Sequence, residues 1–291
     1  RSVTVVGATA FPQPQLRALT AALVGPAVSV ARIEEARAAL VSLYRTSGYV
    51  LSTVSANVGA AGELRFNVIE GRIVAVKLDG DIGPAGVQVL RFLNHLTEVQ
   101  PLDNATLERW LLLAQDVPGV TLNAVLQPSM ADPGALTLVA QVTRQKLNGL
   151  LTVDNRAFRQ SGPEQLLSVG TFNSFTQFGE RTELSILHSF NNTQTFGQAA
   201  TEFFVGGSGV KVRLYGGIGG TNPSDDLRAI GYDGRTRVFG VQGSYPIIRS
   251  REQTKRIPII FLSAVNKEAE HQLKGYAMSA VDYVLKPVVQ S

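Results

Sequence analysis

One order of elements is written twice in residues 1–146, and that repetition constrains the fold more than any composition does. Residues 2–6 form a short strand. Residues 12–24 are helical, with Leu16, Leu19 and Leu23 at spacings of 3 and 4. Ser29 caps a second helix whose face is Ile33, Arg37 (or Ala36), Leu40 and Tyr44, and Gly48 ends it. Strands at 50–56 and 64–69 follow around a turn at 59–62. The order restarts at Ile73: strand 73–78, closed by Asp79-Gly80; helix 85–96; and a helix that Asp103 can cap, carrying Leu107, Leu111 and Ala114. Pro118-Gly119 stops that helix, and strands 121–126 and 135–142 flank a turn at 131–134. Chance rarely reproduces β-α-α-β-β in order, so the sequence predicts two copies of one α+β module, at 1–72 and 73–146.

From residue 147 the hydrophobic period becomes two. In 181–190, Thr182, Leu184, Ile186, His188 and Phe190 share a face opposite Arg181, Glu183, Ser185 and Ser189, with Leu187 the exception. In 210–219, Val210, Val212, Leu214 and Ile218 oppose Lys211, Arg213 and Tyr215. About six such strands are predicted, near 147–156, 165–175, 181–191, 197–206, 209–219 and 235–247, each longer than the usual five or six residues. That length and polarity suit the wall of a barrel crossing a bilayer at a tilt. Periodicity leaves a soluble sandwich equally open. It also leaves open whether Lys211, Arg213, Arg181 and Glu183 line a lumen or a solvated face.

Composition narrows the chemistry. Cysteine is absent, which excludes disulfides, thiolate metal sites and a cysteine nucleophile. Three histidines, His95, His188 and His271, stand too far apart in sequence to announce a metal or catalytic site. The net charge of +4 comes without a dense Lys/Arg run, so nucleic acid is not an expected partner. No stretch approaches the roughly 18 apolar residues of a membrane helix. The first residues lack a signal-peptide core, which predicts a cytosolic or an already processed chain. No enzyme, metal or cofactor is expected. Val5-Val6-Gly7-Ala8-Thr9 lacks the later glycines of a dinucleotide fold, and Gly216-Gly217-Ile218-Gly219-Gly220 lacks the Gly-Lys-Ser/Thr of a phosphate loop. Trp110 reads as a helix-packing residue, and His188 as an interface or packing histidine.

Several motifs carry a family resemblance. Leu43-Tyr44-Arg45, Gly48-Tyr49-Val50-Leu51-Ser52, Gly62-Glu63-Leu64 and Val68-Ile69-Glu70-Gly71-Arg72-Ile73 resemble the first POTRA domain of two-partner-secretion outer-membrane transporters, the TpsB-type haemolysin activator/secretion family. Leu107-Glu108-Arg109, Asp116-Val117-Pro118-Gly119-Val120 and Leu126-Gln127-Pro128 are similar to the second. Asp154-Asn155-Arg156 and Ser161-Gly162-Pro163 resemble the first barrel strand and its hairpin, with Ala157 where the family favours Gly. Tyr245-Pro246-Ile247-Ile248-Arg249-Ser250-Arg251 is similar to a Tyr-Pro-Leu-x-Arg-Ser-Arg segment of the barrel. The resemblance covers about 1–253. It implies an antiparallel outer-membrane barrel at 147–253, periplasmic POTRA domains, and an unfolded secreted haemolysin or adhesin as client. A related barrel-assembly insertase of the Omp85 type is the alternative. The likeness also implies a barrel of far more strands than about six, a Val-Arg-Gly-Tyr lid motif and a plug helix. Their absence predicts a truncated chain.

Strand addition at an exposed sheet edge would hold such a client without a fixed sequence. The expected contact is the sheet edge at 136–142, through Leu136, Leu138, Ala140 and Val142. Residues 1–146 are expected to fold as a soluble unit.

After Gln253 the alternation stops. Continuous apolar runs at 257–264 and 280–287 read as buried parallel strands around a helix at 266–276. This β-α-β segment, 254–291, resembles the end of a response-regulator receiver domain, with Ser263 matching the hydroxyl switch residue and Lys286 the phosphate-binding lysine. The third strand and its phosphoacceptor aspartate have no counterpart, so no phosphotransfer is expected, although a phosphorelay fusion is the remaining alternative. Asp225-Asp226 reads as turn chemistry. A parallel-sheet fragment after an antiparallel sheet conflicts in pattern, which predicts a junction between two unrelated coding sequences near 253.

Overall fold

The computed structural model describes residues 2–25, 28–59, 62–129, 131–224, 229 and 231–250, together with the backbone of 260–263 and 282–285. The helix expected at 266–276, Lys286, His271 and Asp225-Asp226 lie outside the described residues.

The repeat folds as two copies of one topology. In the first, β1 (Val3–Val6) is followed by α1 (Gln13–Thr20), α2 (Val30–Thr46), β2 (Thr53–Val58) and β3 (Leu64–Ile69). In the second, β4 (Arg72–Asp79), α3 (Ala85–Leu93), α4 (Asn104–Gln115), β5 (Val120–Pro128) and β6 (Ala135–Arg144) follow in the same order. The sheets run β1-β3-β2 and β4-β6-β5, with the first pair of each parallel and the second antiparallel. Local chemistry places the ends. Ser29 Oγ accepts from Arg32 N, and Asp103 Oδ1 accepts from Thr106 N at 2.9 Å. The α2 face buries Ala36, Leu40 and Tyr44, while Arg37 pairs with Glu34 at the surface. Gly7 and Gly80 close the equivalent first strands with φ of +80° and +121°, where a Cβ would stand 2.2 Å from Val68 O and 2.3 Å from Val142 O. The same crowding at the same place in both copies marks them as one design.

Each module has its own apolar core. Leu16, Leu40, Tyr44 and Phe66 are fully buried in the first. Phe92, Leu93, Leu113 and Leu138 fill the second, and Phe204, from beyond residue 146, belongs to that same core.

Six strands then form one antiparallel meander: β7 (Leu147–Asp154), β8 (Gln165–Asn173), β9 (Arg181–Ser189), β10 (Gln194–Val205), β11 (Val210–Thr221) and β12 (Gly234–Ser244). They pair in sequence order, and β7 and β12 are not paired to each other, so the sheet is open. A separate unit begins at Ile248. In it β13 (Ile260–Ser263) and β14 (Asp282–Leu285) pair in parallel, with Ser263 opposite Leu285. Among the described residues no helix is long and apolar enough to cross a bilayer.

Candidate functional site

The free sheet edges are not where the sequence reading puts them. Residues 136–142 belong to β6, which is the central strand of its sheet, with β4 on one side and β5 on the other. The hairpin places β5 beside β6, and the two-helix crossover returns β4 parallel to its other side, so every β6 backbone group faces a neighbour. Leu138, Ala140 and Val142 are buried under the helices and Leu136 is half-buried, so none is open to an added strand. Amphipathic alternation reports which face is buried and is blind to which strand is lateral. The lateral strands are β1 and β2 in the first sheet and β4 and β5 in the second; of these, β5 exposes Thr121, Asn123, Ala124 and Val125, and β2 exposes Thr53, Ser55, Asn57 and Val58.

The six-stranded sheet has two unlike faces. Register aligns Leu147 with Phe172, Thr182, Thr201, Leu214 and Val241, and the same face carries Ile186, Ile218 and Phe239. The apolar side chains among them are exposed, Phe239 to 90% and Ile218 to 70%, while Thr182 and Thr201 are half-buried. The opposite face carries a charged row in which Glu202 stands between Arg181 and Arg213, with Gln242 beyond. Lys211 approaches Glu202 at 3.8 Å and Arg181 approaches Glu183 at 3.3 Å. The Phe196 ring lies across Gly217 and Gly219 on this face, and Tyr215 lies across Gly240, so the glycines clear space for flat rings along the polar wall.

Two turns and the segment after β12, all at one end of this sheet, seat on the second module. The turn after β8 receives Arg144, whose Nη1 donates to Ser174 O at 2.7 Å, while Ser174 Oγ donates to Pro118 O at 2.7 Å. The turn after β10 receives Gln88 Nε2 on Gly206 O at 3.0 Å and His95 Nε2 on Gly207 O at 3.1 Å. Phe204 enters the module's core at 5.0 Å from the Phe92 ring. The segment after β12 receives Arg109, which donates to Pro246 O and Ile247 O at 3.1 Å and to Tyr245 Oη at 3.2 Å. The same guanidinium lies 5.8 Å from both the Trp110 and Tyr245 rings. Trp110 stacks on His95 at 4.1 Å, in keeping with a packing role.

The other residues singled out by sequence are spread. Asp154 and Arg156 sit at the far end of the sheet, where Asp154 Oδ1 accepts from Arg156 N and Gln165 Nε2, both at 3.1 Å. Asn155 is exposed in the following turn. Tyr245 and Pro246 form the clamp just described, and Arg249 lies in the unit that begins at Ile248. Sequence reasoning passed over Glu70, which is buried at the end of β3. Its carboxylate accepts from Thr9 N at 2.8 Å, Ala10 N at 2.9 Å, Tyr44 Oη at 2.7 Å and Thr9 Oγ1. Burial pushes that carboxyl up, but the hydrogen bonds from Thr9, Ala10 and Tyr44 outweigh it and hold the group below its usual range. Burial, then the bond and charge of Glu70, push the Tyr44 hydroxyl up, so it stays a donor. Glu70 stands inside the Val68–Ile73 motif, but nothing local in sequence pairs position 70 with positions 9 and 44.

Known proteins share this architecture. Residues 1–71 match the family model of the POTRA domain, ShlB-type. The fold of the chain is similar to CdiB from Escherichia coli, with a TM-score of 0.64 at 19% identity over 82% of this chain and 46% of that one. It is also similar to CdiB from Acinetobacter baumannii, with a TM-score of 0.52 at 15% identity over 86% of this chain and 50% of that one. The chain thus spans about half the length of these structures. No curated protein sequence matches it. The likeness shows the fold: a POTRA domain, a second module of the same topology, and part of a barrel-type antiparallel sheet.

Proposed function

We propose that the chain belongs to an outer-membrane protein transporter of the two-partner-secretion type. The observation that carries this is the sheet with one apolar and one polar face, clamped at a single end to the second of the two POTRA-like modules. Exposed Phe239, Val241 and Ile218 would meet lipid, and Arg181, Glu202 and Arg213 would line the passage. Closed or completed strand pairing satisfies the backbone in hydrocarbon. The POTRA modules then stand in the periplasm.

The client in this reading is an unfolded secreted exoprotein of the haemolysin or adhesin kind. It adds as a strand at β2 or β5, gaining main-chain hydrogen bonds that demand no fixed sequence. No nucleotide and no cofactor is invoked. The parallel pair β13–β14 supports the receiver-fragment reading of the tail, for which no phosphotransfer is proposed.

A photo-crosslinking residue placed at Val58 or Val125 of the full chain, in outer-membrane vesicles, tests the reading. An unfolded exoprotein secretion domain should be captured at one or both of these positions, and not by the same residue placed at Phe239. Labelling at Phe239 alone, or none at either edge, overturns it.

A further inference from the structure

On the outward face of β12 the apolar series stops at two arginines. Val241 and Phe239 are 74% and 90% exposed, and the next outward positions are Arg237, opposite Ile218, and Arg235, opposite Gly220. Both arginines are exposed. Arg235 lies 3.9 Å from Asp233 in an open ion pair. Arg237 has no acidic partner among the described residues.

The depth of these arginines follows from the register. Within the strands, the outermost exposed apolar side chains of this face are Val153 on β7, Ile186 on β9, Ile218 on β11 and Phe239 on β12, with Phe190 just past the end of β9. Register makes Val153 level with Arg235, so the apolar limit descends by four residues between β7 and β12. A wall tilted by about 40° should shift it in this way: five spacings of about 4.8 Å move about 15 Å along the normal, or roughly six residues. On that slope Arg237 and Arg235 stand roughly 5 and 10 Å beyond Phe239, which is the headgroup layer and not the hydrocarbon. A guanidinium there costs little, and its fork matches phosphate oxygens two at a time. Alternate residues on a strand are about 7 Å apart, so the two forks can share one headgroup or take two of its phosphates.

The second POTRA-like module clamps the opposite end of the sheet. On the transport reading, which this inference rests on, the arginines therefore face the outer leaflet. We propose that Arg235 and Arg237 bind the phosphate groups of a phosphorylated glycolipid in that leaflet, anchoring β12 at a set depth.

The test uses the full chain in neutral detergent, titrated with bis-phosphorylated lipid A and, separately, with dephosphorylated lipid A, and read by native mass spectrometry. The phosphorylated form should bind at least about tenfold more tightly, as expected for charge-assisted bonds. The Arg235→Gln/Arg237→Gln chain should lose that preference, and Lys211→Gln, on the other face, should keep it. Free phosphate in large excess should not compete. An unchanged double variant, an equal loss in Lys211→Gln, or full competition by free phosphate overturns the inference. A nitroxide at position 239 in nanodiscs separates the two readings. If it is lipid-exposed while the phosphate preference is missing, only this inference fails. If it is water-exposed, the membrane reading fails and takes this inference with it.

Discussion

Removing the Glu70 carboxylate should unfasten the first POTRA module. In Glu70→Ala, the N–H groups of Thr9 and Ala10 and the hydroxyl of fully buried Tyr44 lose their acceptor together. Bonds to a charged group contribute about 1.5–3 kcal/mol each, and they overlap here because one carboxylate serves all of them. Burial of the charge opposes part of that gain. A net loss of about 3–5 kcal/mol is expected for Glu70→Ala, and about 1–2 kcal/mol for Glu70→Gln, which keeps an oxygen but not the charge. The carboxyl titrates below its usual value in the folded module. Its contribution is therefore complete at neutral pH, where the unfolded chain is also ionised, and fades as pH falls from the ordinary glutamate range through the lower folded value. Urea unfolding followed by the near-ultraviolet dichroism of the tyrosines, repeated at pH 7 and near pH 3, measures both effects. Tyr44→Phe combined with Glu70→Gln should cost less than the sum of the two, because they remove the same bond. A Glu70→Ala cost under about 1 kcal/mol, or an acid limb that persists in Glu70→Gln, would refute the reasoning.

Three further outcomes follow from the clamp and the repeat. Phe204→Ala should cost about 3–5 kcal/mol and expose Trp110, seen as a red shift of the single tryptophan, because Phe204 and Trp110 both pack on Phe92. Arg109→Ala removes three donated bonds at a partly exposed site, so about 1–2 kcal/mol should be lost and thermolysin cleavage before Ile248 should speed up several-fold. Arg109→Lys should restore little, since an ammonium cannot reach all three oxygens in one plane. Gly80→Ala should cost at least about 2 kcal/mol in thermal unfolding, whereas Gly25→Ala, with open space around it, should stay within about 0.5 kcal/mol.

How much of this was legible in the sequence depended on whether the signal was local. The helix starts at Ser29 and Asp103 and the ends of all six long strands stand within a few residues of where caps and alternation put them. Strand β2 begins at Thr53, not at Val50, because Val50 and Leu51 turn the chain out of α2. The first helix shortens to Gln13–Thr20 with one tight turn after it, since Pro12 and the Ala-rich end give few side-chain anchors. The two-faced wall was readable because pleating makes polarity alternate with a period of two. The lateral order of strands was not, and so Leu136, Leu138, Ala140 and Val142 went to an edge that β6 does not have. The Arg109 clamp joins positions separated by more than a hundred residues, a pairing that no spacing rule within one element could announce.

The intrusion of Phe204 into the second module ties two folding events together. That module's core is completed by a side chain made long after its own last strand, on the hairpin of β10 and β11. A chain whose sheet has not yet formed therefore carries an imperfect second POTRA-like module beside Phe92. Placement of β10 is thus felt in the neighbouring module, whose core is complete only once Phe204 has reached it.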